Sequence, residues 1–111
     1  MPRQNITDMK VSRIYPLLIQ KVERKGRTKE ELDQIIAWLT GYDMDDVDLD
    51  MSYGEFFGNA PAMNPRALLI RGKVCGVDVG NIKDPLMRKI RWLDKLVDEL
   101  AKGKPMDKIL R

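Results

Sequence analysis

Histidine is absent from the 111 residues, and cysteine occurs once. The first absence removes Ser-His-Asp and Cys-His nucleophilic catalysis, histidine general bases and every histidine-containing zinc site. The second removes thiolate-rich metal sites and any internal disulfide, which fits a reducing, cytoplasmic location. Chemistry is left to carboxylates, lysines, tyrosines, Cys75 and oxygen-ligated metals. No run of about 18 apolar residues occurs, so no membrane span is expected. The polar opening MPRQNITDMK lacks the apolar stretch of a secretory signal. Aromatic residues amount to 6%, and a chain this small is expected to keep them inside.

What is present points to a folded chain. Hydrophobic residues make up 43% and charged residues 33%, a globular balance rather than a disordered one. The expected organisation is one helical domain over residues 1–111, with 1–10 as an N-terminal tail. Charge is unevenly distributed. Residues 1–29 carry eight bases against two acids, residues 30–57 nine acids and no base, and residues 58–111 twelve bases against six acids. The formal charge of +3 therefore hides a basic–acidic–basic layout.

Helix signals dominate. A first helix is expected from about Pro16 to Lys25, with Leu17, Leu18 and Val22 inward and Gly26 as a left-handed cap. TKEELDQIIAWLTG is the strongest local signature. Thr28 and Glu31 make a capping box, Leu32, Ile35, Ile36 and Leu39 share one face, and Gly41 closes the helix. Asp43 with Asp46, and Ser52 with Glu55, predict two further short helices. Asn64-Pro65 reads as a cap followed by a first-turn proline. LLIRGKVCGVDVGNI breaks the pattern with glycines among valines, which predicts a short β-hairpin or an ordered loop near residues 68–82. A last long helix starts at Asp84-Pro85 and ends at Gly103, with Leu86, Ile90, Leu93, Val97 and Leu100 as its stripe. PMDKIL adds a final turn. The fold class is mainly α, a small orthogonal bundle of about four to five helices. Its expected core is Leu17, Leu18, Val22, Leu32, Ile35, Ile36, Trp38, Leu39, Phe56, Ile90, Leu93, Val97 and Leu100.

The segments YPLLIQKVERKGRTKEELDQIIAWLTGY, FFGNAPAMNP and DPLMRKIRWLDKLVDELAKGKPMDKIL together resemble a small bacterial family of uncharacterised proteins, domain of unknown function 2200. The resemblance runs from about Ile14 to the end of the chain. It implies a compact, mainly helical cytosolic protein and transfers no activity, substrate or catalytic residue.

Candidate sites have to be weighed residue by residue. Asp43, Asp45, Asp46, Asp48 and Asp50 crowd into eight residues. An EF-hand register from Asp46 puts Met51 where glycine is needed and Phe57 where the bidentate glutamate belongs. A register from Asp43 puts Val47 at the fifth position and Asp48 at the glycine. Neither wraps an ion, so no metal or cofactor is assigned, and a weak contact with a divalent cation is all this stretch leaves open. Acid–base catalysis by this run would require one carboxylate held protonated by burial, which nothing in the run suggests. Cys75 has only Lys73 near it in sequence to lower its pKa, and a small buried apolar side chain is the expectation. Phe56 and Phe57 lie in an apolar stretch that either plugs the core or meets a partner.

The basic run with Arg24, Lys25, Arg27 and Lys29 complements a helix C-terminus or binds phosphate. Arg88, Lys89 and Arg91 offer a second basic face. Against nucleic acid, no aromatic is interleaved with the bases for stacking, and the acid-rich start of the second helix suits base recognition badly. Oppositely charged segments instead fit a protein partner or a second copy of the chain. The expected role is a non-catalytic, protein-interacting or self-associating accessory module. A weak, salt-sensitive nucleic-acid binder is the alternative, and carboxylate or Cys75 enzymology comes third. No small-molecule substrate and no membrane partner is indicated.

Overall fold

A computed structural model describes residues 6–74 and 76–110. Five α-helices occur among the described residues: α1 (Val11–Glu23), α2 (Lys29–Thr40), α3 (Tyr53–Gly58), α4 (Pro85–Ala101) and α5 (Met106–Ile109). Three 3₁₀ turns, Ile6–Asp8, Pro65–Leu69 and Val79–Asn81, and two short strands, β1 (Lys73–Val74) and β2 (Val77–Asp78), complete them. The fold is therefore mainly α, with the glycine–valine segment forming a minimal antiparallel hairpin that pairs Lys73 with Asp78 and Val74 with Val77.

Local signals account for most helix ends. At α2 the Glu31 amide donates to Thr28 Oγ1 (3.2 Å), while the Thr28 amide donates to Glu31 Oε1 (3.0 Å), a complete capping box. Ser52 Oγ accepts from the Glu55 amide at the start of α3, and Asp84 Oδ1 from the Leu86 amide at the start of α4. Asn64 likewise caps the Pro65–Leu69 turn. After α1, Gly26 (φ 78°) adopts the left-handed conformation, and the Arg27 amide reaches back to the Val22 carbonyl at 3.0 Å. This is a Schellman arrangement, and it fixes the short turn into α2.

The start of α1 differs from the sequence expectation. The helix begins at Val11 rather than near Pro16, which lies in its interior on the exposed side. No side chain caps it. Instead the Val11 amide donates to the Met51 carbonyl (3.0 Å) and the Ser12 amide to the Leu49 carbonyl (2.8 Å). The Tyr53 amide in turn donates to the Met9 carbonyl at 2.7 Å. A distant loop thus supplies the acceptors that orphan helix amides need, a signal that no local pattern carries. The shift in register turns Leu17 outward, 58% exposed, and buries Val11, Ile14 and Tyr15 in its place, while Val22 is buried as expected. Leu18 and Trp38, also expected in the core, are half-buried against it.

The helix expected from Asp43 and Asp46 does not form. Asp43 Oδ1 accepts from the Asp45 amide (3.0 Å) and Asp48 Oδ1 from the Asp50 amide (2.9 Å), making two successive turns. Short carboxylates compete for nearby amides better than they support a helix interior.

The buried apolar residues form one continuous cluster. Its centre is α4, whose Ile90, Leu93, Leu96, Val97 and Leu100 are all buried. That helix packs on α1, α2, α3, α5, β1 and the Val79–Asn81 turn. An aromatic group fills the α3 side: Tyr42 stacks on Phe56 with centroids 4.4 Å apart, and Phe57 meets Phe56 edge-on at 5.2 Å. Gly41 ends α2 at φ 80°, and a Cβ there would stand 2.8 Å from Ala62 Cβ.

Truncating Leu93 to alanine should cost about 3 kcal/mol of unfolding free energy, whereas Leu17→Ala should stay within about 0.5 kcal/mol. Gly41→Ala should cost about 2 kcal/mol, because strain and overlap coincide. Urea denaturation of the three variants is the check. A Leu17 cost matching that of Leu93 would contradict this register of α1.

Candidate functional site

The basic run splits into two kinds of side chain. Arg24 and Lys25 are exposed at the end of α1. Arg27 turns back instead: its guanidinium holds Glu31 at 2.6 Å and donates to the Lys104 carbonyl at 3.1 Å. It thereby pins the α1–α2 turn to the turn after α4. The same hydrogen bonds hold the Glu31 carboxyl below its ordinary pKa.

Lys29 is also engaged. Its ammonium lies 2.9 Å from Asp33 and 5.8 Å from the centre of the Tyr15 ring. The Tyr15 hydroxyl donates to the other Asp33 oxygen. Burial, then the Asp33 hydrogen bond, pushes the Tyr15 pKa up to about 12. This triad joins α1 to α2 across their interface, and no sequence pattern marked Tyr15 or Asp33 as partners.

Asp43, Asp45, Asp46, Asp48 and Asp50 are all exposed. None of them forms an ion pair among the described residues. Among those residues, no three Cys, Asp or Glu side chains are gathered as a metal site requires. Two of the five aspartates do line a groove. It has a volume of about 370 Å³ at the C-terminal end of α2, with Ala37, Tyr42 and Met44 as apolar lining and Asp33, Asp43 and Asp45 around them.

Phe56 and Phe57, carried from the sequence as candidates for partner contact, are 1% and 0% exposed. The cap at Ser52 starts a helix whose phenyl rings point into the core, so neither side chain reaches the surface. The exposed apolar side chains lie elsewhere: Leu68 at 69% and Leu69 at 53% stand out beside Leu17. Leu68 also edges a second groove, of about 190 Å³, with Trp92, Val79 and Arg88. Arg88 donates from Nε to the Ile82 carbonyl, which anchors this face to the segment before α4. The two adjacent leucines open the segment read from sequence as a short β-hairpin or an ordered loop. Their exposure follows from the Asn64 cap and Pro65, which wind the chain into a tight 3₁₀ turn instead.

Asp94 was not singled out by the sequence. Burial raises its pKa although Arg91 pairs with it at 3.2 Å. It also helps, after burial itself, to raise the pKa of Tyr53. The Tyr53 hydroxyl is buried with no hydrogen-bond partner among the described residues. Asp94 and Glu99, which is 7% exposed, both lie on α4, and acids scattered along an ordinary helical stripe give no pattern from which their burial could be read. Cys75 lies outside the described residues. Among them, no helix is long and apolar enough to cross a membrane.

The chain belongs to a family described as an uncharacterised protein conserved in bacteria, DUF2200, whose profile matches residues 5–111. It is also similar to the uncharacterized protein SP1917, known from a crystal structure. The two chains are 48% identical with a TM-score of 0.90, over 98% of this chain and 93% of that one. No curated protein matches the chain.

All three tyrosines have raised pKa values, Tyr42 and Tyr53 through burial and Tyr15 as described. A raised folded-state value contributes stability below the ordinary pKa near 10, and that contribution falls as pH rises through the folded value. Phenolate formation in the native protein should therefore be displaced to higher pH than that of free tyrosine, and Tyr15→Phe should remove the step near pH 12. A full phenolate transition centred on pH 10 in folded protein would contradict this. Separately, Tyr53→Phe removes an unpartnered buried hydroxyl and should leave stability unchanged or raise it by about 1 kcal/mol. A clear drop in the melting temperature would show that the hydroxyl is bonded.

Proposed function

We propose that this family member is a small cytoplasmic accessory protein that acts by binding protein, a partner or its own copies, rather than by catalysis. The observation that carries this reading is the adjacent pair Leu68 and Leu69, 69% and 53% exposed on a stiff capped turn. Exposed aliphatic side chains next to one another on a small domain are costly in water, and they are commonly interaction surface. The surrounding charge is one-sided. From 59 to 92 the chain carries seven bases and two acids, and both acids, Asp78 and Asp84, cap turns or helices through their side chains. An apolar centre with a polar rim is the usual anatomy of a protein-binding patch, in which arginine is enriched.

Nucleic-acid binding through the basic helix faces draws less support. Arg27 and Lys29 are held by carboxylates, and aliphatic leucines gain nothing from a phosphate backbone.

The test is recovery of the tagged full chain from its native cytoplasm, with one half of the extract treated with nuclease. Stoichiometric protein, either another chain or untagged copies of this one, should be retained equally in both halves. Retention of nucleic acid alone, with every protein lost on digestion, would overturn the proposal. In that case binding to duplex DNA should steepen by about 0.9 in log–log salt slope for each phosphate contacted.

A further inference from the structure

Two surface features of this chain combine exposed apolar groups with charges of opposite sign. The first is a knob. The Pro65–Leu69 turn is capped by Asn64 and projects Leu68 and Leu69, with Arg66 and Arg71 exposed on either side. The second is a hole. The groove of about 370 Å³ at the end of α2 has Ala37, Tyr42 and Met44 as its apolar lining, with Asp33, Asp43 and Asp45 around them. Gly41 also lines it.

The knob and the hole are tied together through one short strap. The Ala62 amide donates to the Thr40 carbonyl (3.0 Å) and the Asn64 amide to the Leu39 carbonyl (2.9 Å), so the knob's turn leaves directly from the end of α2 that bears the groove. Of the groove's aspartates, Asp33 is paired with Lys29, whereas Asp43 and Asp45 have no ion pair among the described residues.

We infer that the occupant of the groove is a second copy of this chain, whose Leu68–Leu69 turn enters it while Arg71 meets Asp43 and Asp45. The inference rests on the self-association branch of the function proposed above. A two-fold pair uses each feature twice, knob into hole and hole around knob, so the contact closes at two copies and does not propagate. Apolar contact in the centre supplies the attraction, and the opposite charges at the rim set the register and make the contact salt-sensitive. A basic segment of a different protein, or a free organic cation, would need the same acidic walls but would leave the leucines uncovered.

The experiment is sedimentation equilibrium of the purified full chain over a concentration series at low and at high salt. A reversible monomer–dimer equilibrium is expected, weaker at high salt. Leu69→Glu should weaken it by about tenfold or more, as should Arg71→Glu and Asp45→Arg singly. The double variant carrying both Arg71→Glu and Asp45→Arg should recover most of the loss, because the pair is restored with its signs exchanged. All these positions are exposed, and unchanged melting temperatures establish that each variant is folded. A wild-type chain that stays monomeric throughout the series overturns the inference. So does a dimer that is indifferent to the three single changes, or a double variant no better than its parents. Partner protein retained after nuclease treatment by a chain that is monomeric in the centrifuge would leave the broader reading standing and end this one.

Discussion

Burial of α4 is the constraint on which the other elements depend. A helix of 17 residues whose Ile90, Leu93, Leu96, Val97 and Leu100 are all removed from water needs apolar cover on several sides. The short elements are the cover. α1 and α2 lie against it as a pair, α3 and its aromatic rings close another side, and the hairpin with the following turn closes a third. Helices of six and four residues would be marginal alone. They persist because each presents buried residues, Phe56 and Phe57 in one and Ile109 in the other, to a surface already held in place.

The polar residues divide into those that close the fold and those that do not take part in it. Arg27 bridges two turns that are remote in sequence, and Lys29, Asp33 and Tyr15 bolt α1 to α2. Asp84, Ser52, Asn64 and Thr28 each satisfy a helix or turn amide. The exposed charges are also sorted by sign, aspartates after α2 and arginines around the Pro65–Leu69 turn. That segregation contributes little to folding, since isolated surface charges are worth well under about 1 kcal/mol each. Its consequence lies in association, where the sign of a patch selects what approaches it.

Much of the fold was legible wherever its cause was local. The capping box of α2, the Asp84-Pro85 start of α4, the cap at Ser52 and the glycines that end α1 and α2 are short-range chemistry, and each appears as read. The errors have a common origin in long-range contacts. Pro16 looked like a helix start because the true start at Val11 is satisfied by carbonyls some forty residues away in sequence. Leu17 was assigned inward as a result. Asp43 and Asp46 have the composition of a helix cap, but with no apolar stripe behind them the side chains close turns instead. Of the candidate site residues, the exposed aspartates and Arg24 and Lys25 are on the surface, Arg27 and Lys29 are paired, and Phe56 and Phe57 are core. The exposed Leu68–Leu69 pair was hidden because exposure is set by the turn that carries it, and leucine by itself reads as interior.

The capping of α1 by Leu49 and Met51 also orders events in time. A helix whose first amides are satisfied only by a remote loop gains that stabilisation late, after the chain between them has been gathered. The α2 segment holds both its caps within its own fourteen residues, Thr28 to Gly41, and needs no remote loop to satisfy its ends. The first turn of α1 is complete only with the acidic loop in place. The amides of Val11 and Ser12 become open to solvent exchange when that loop lifts away. Amide exchange at these two positions thus reports on the loop, although they belong to the helix.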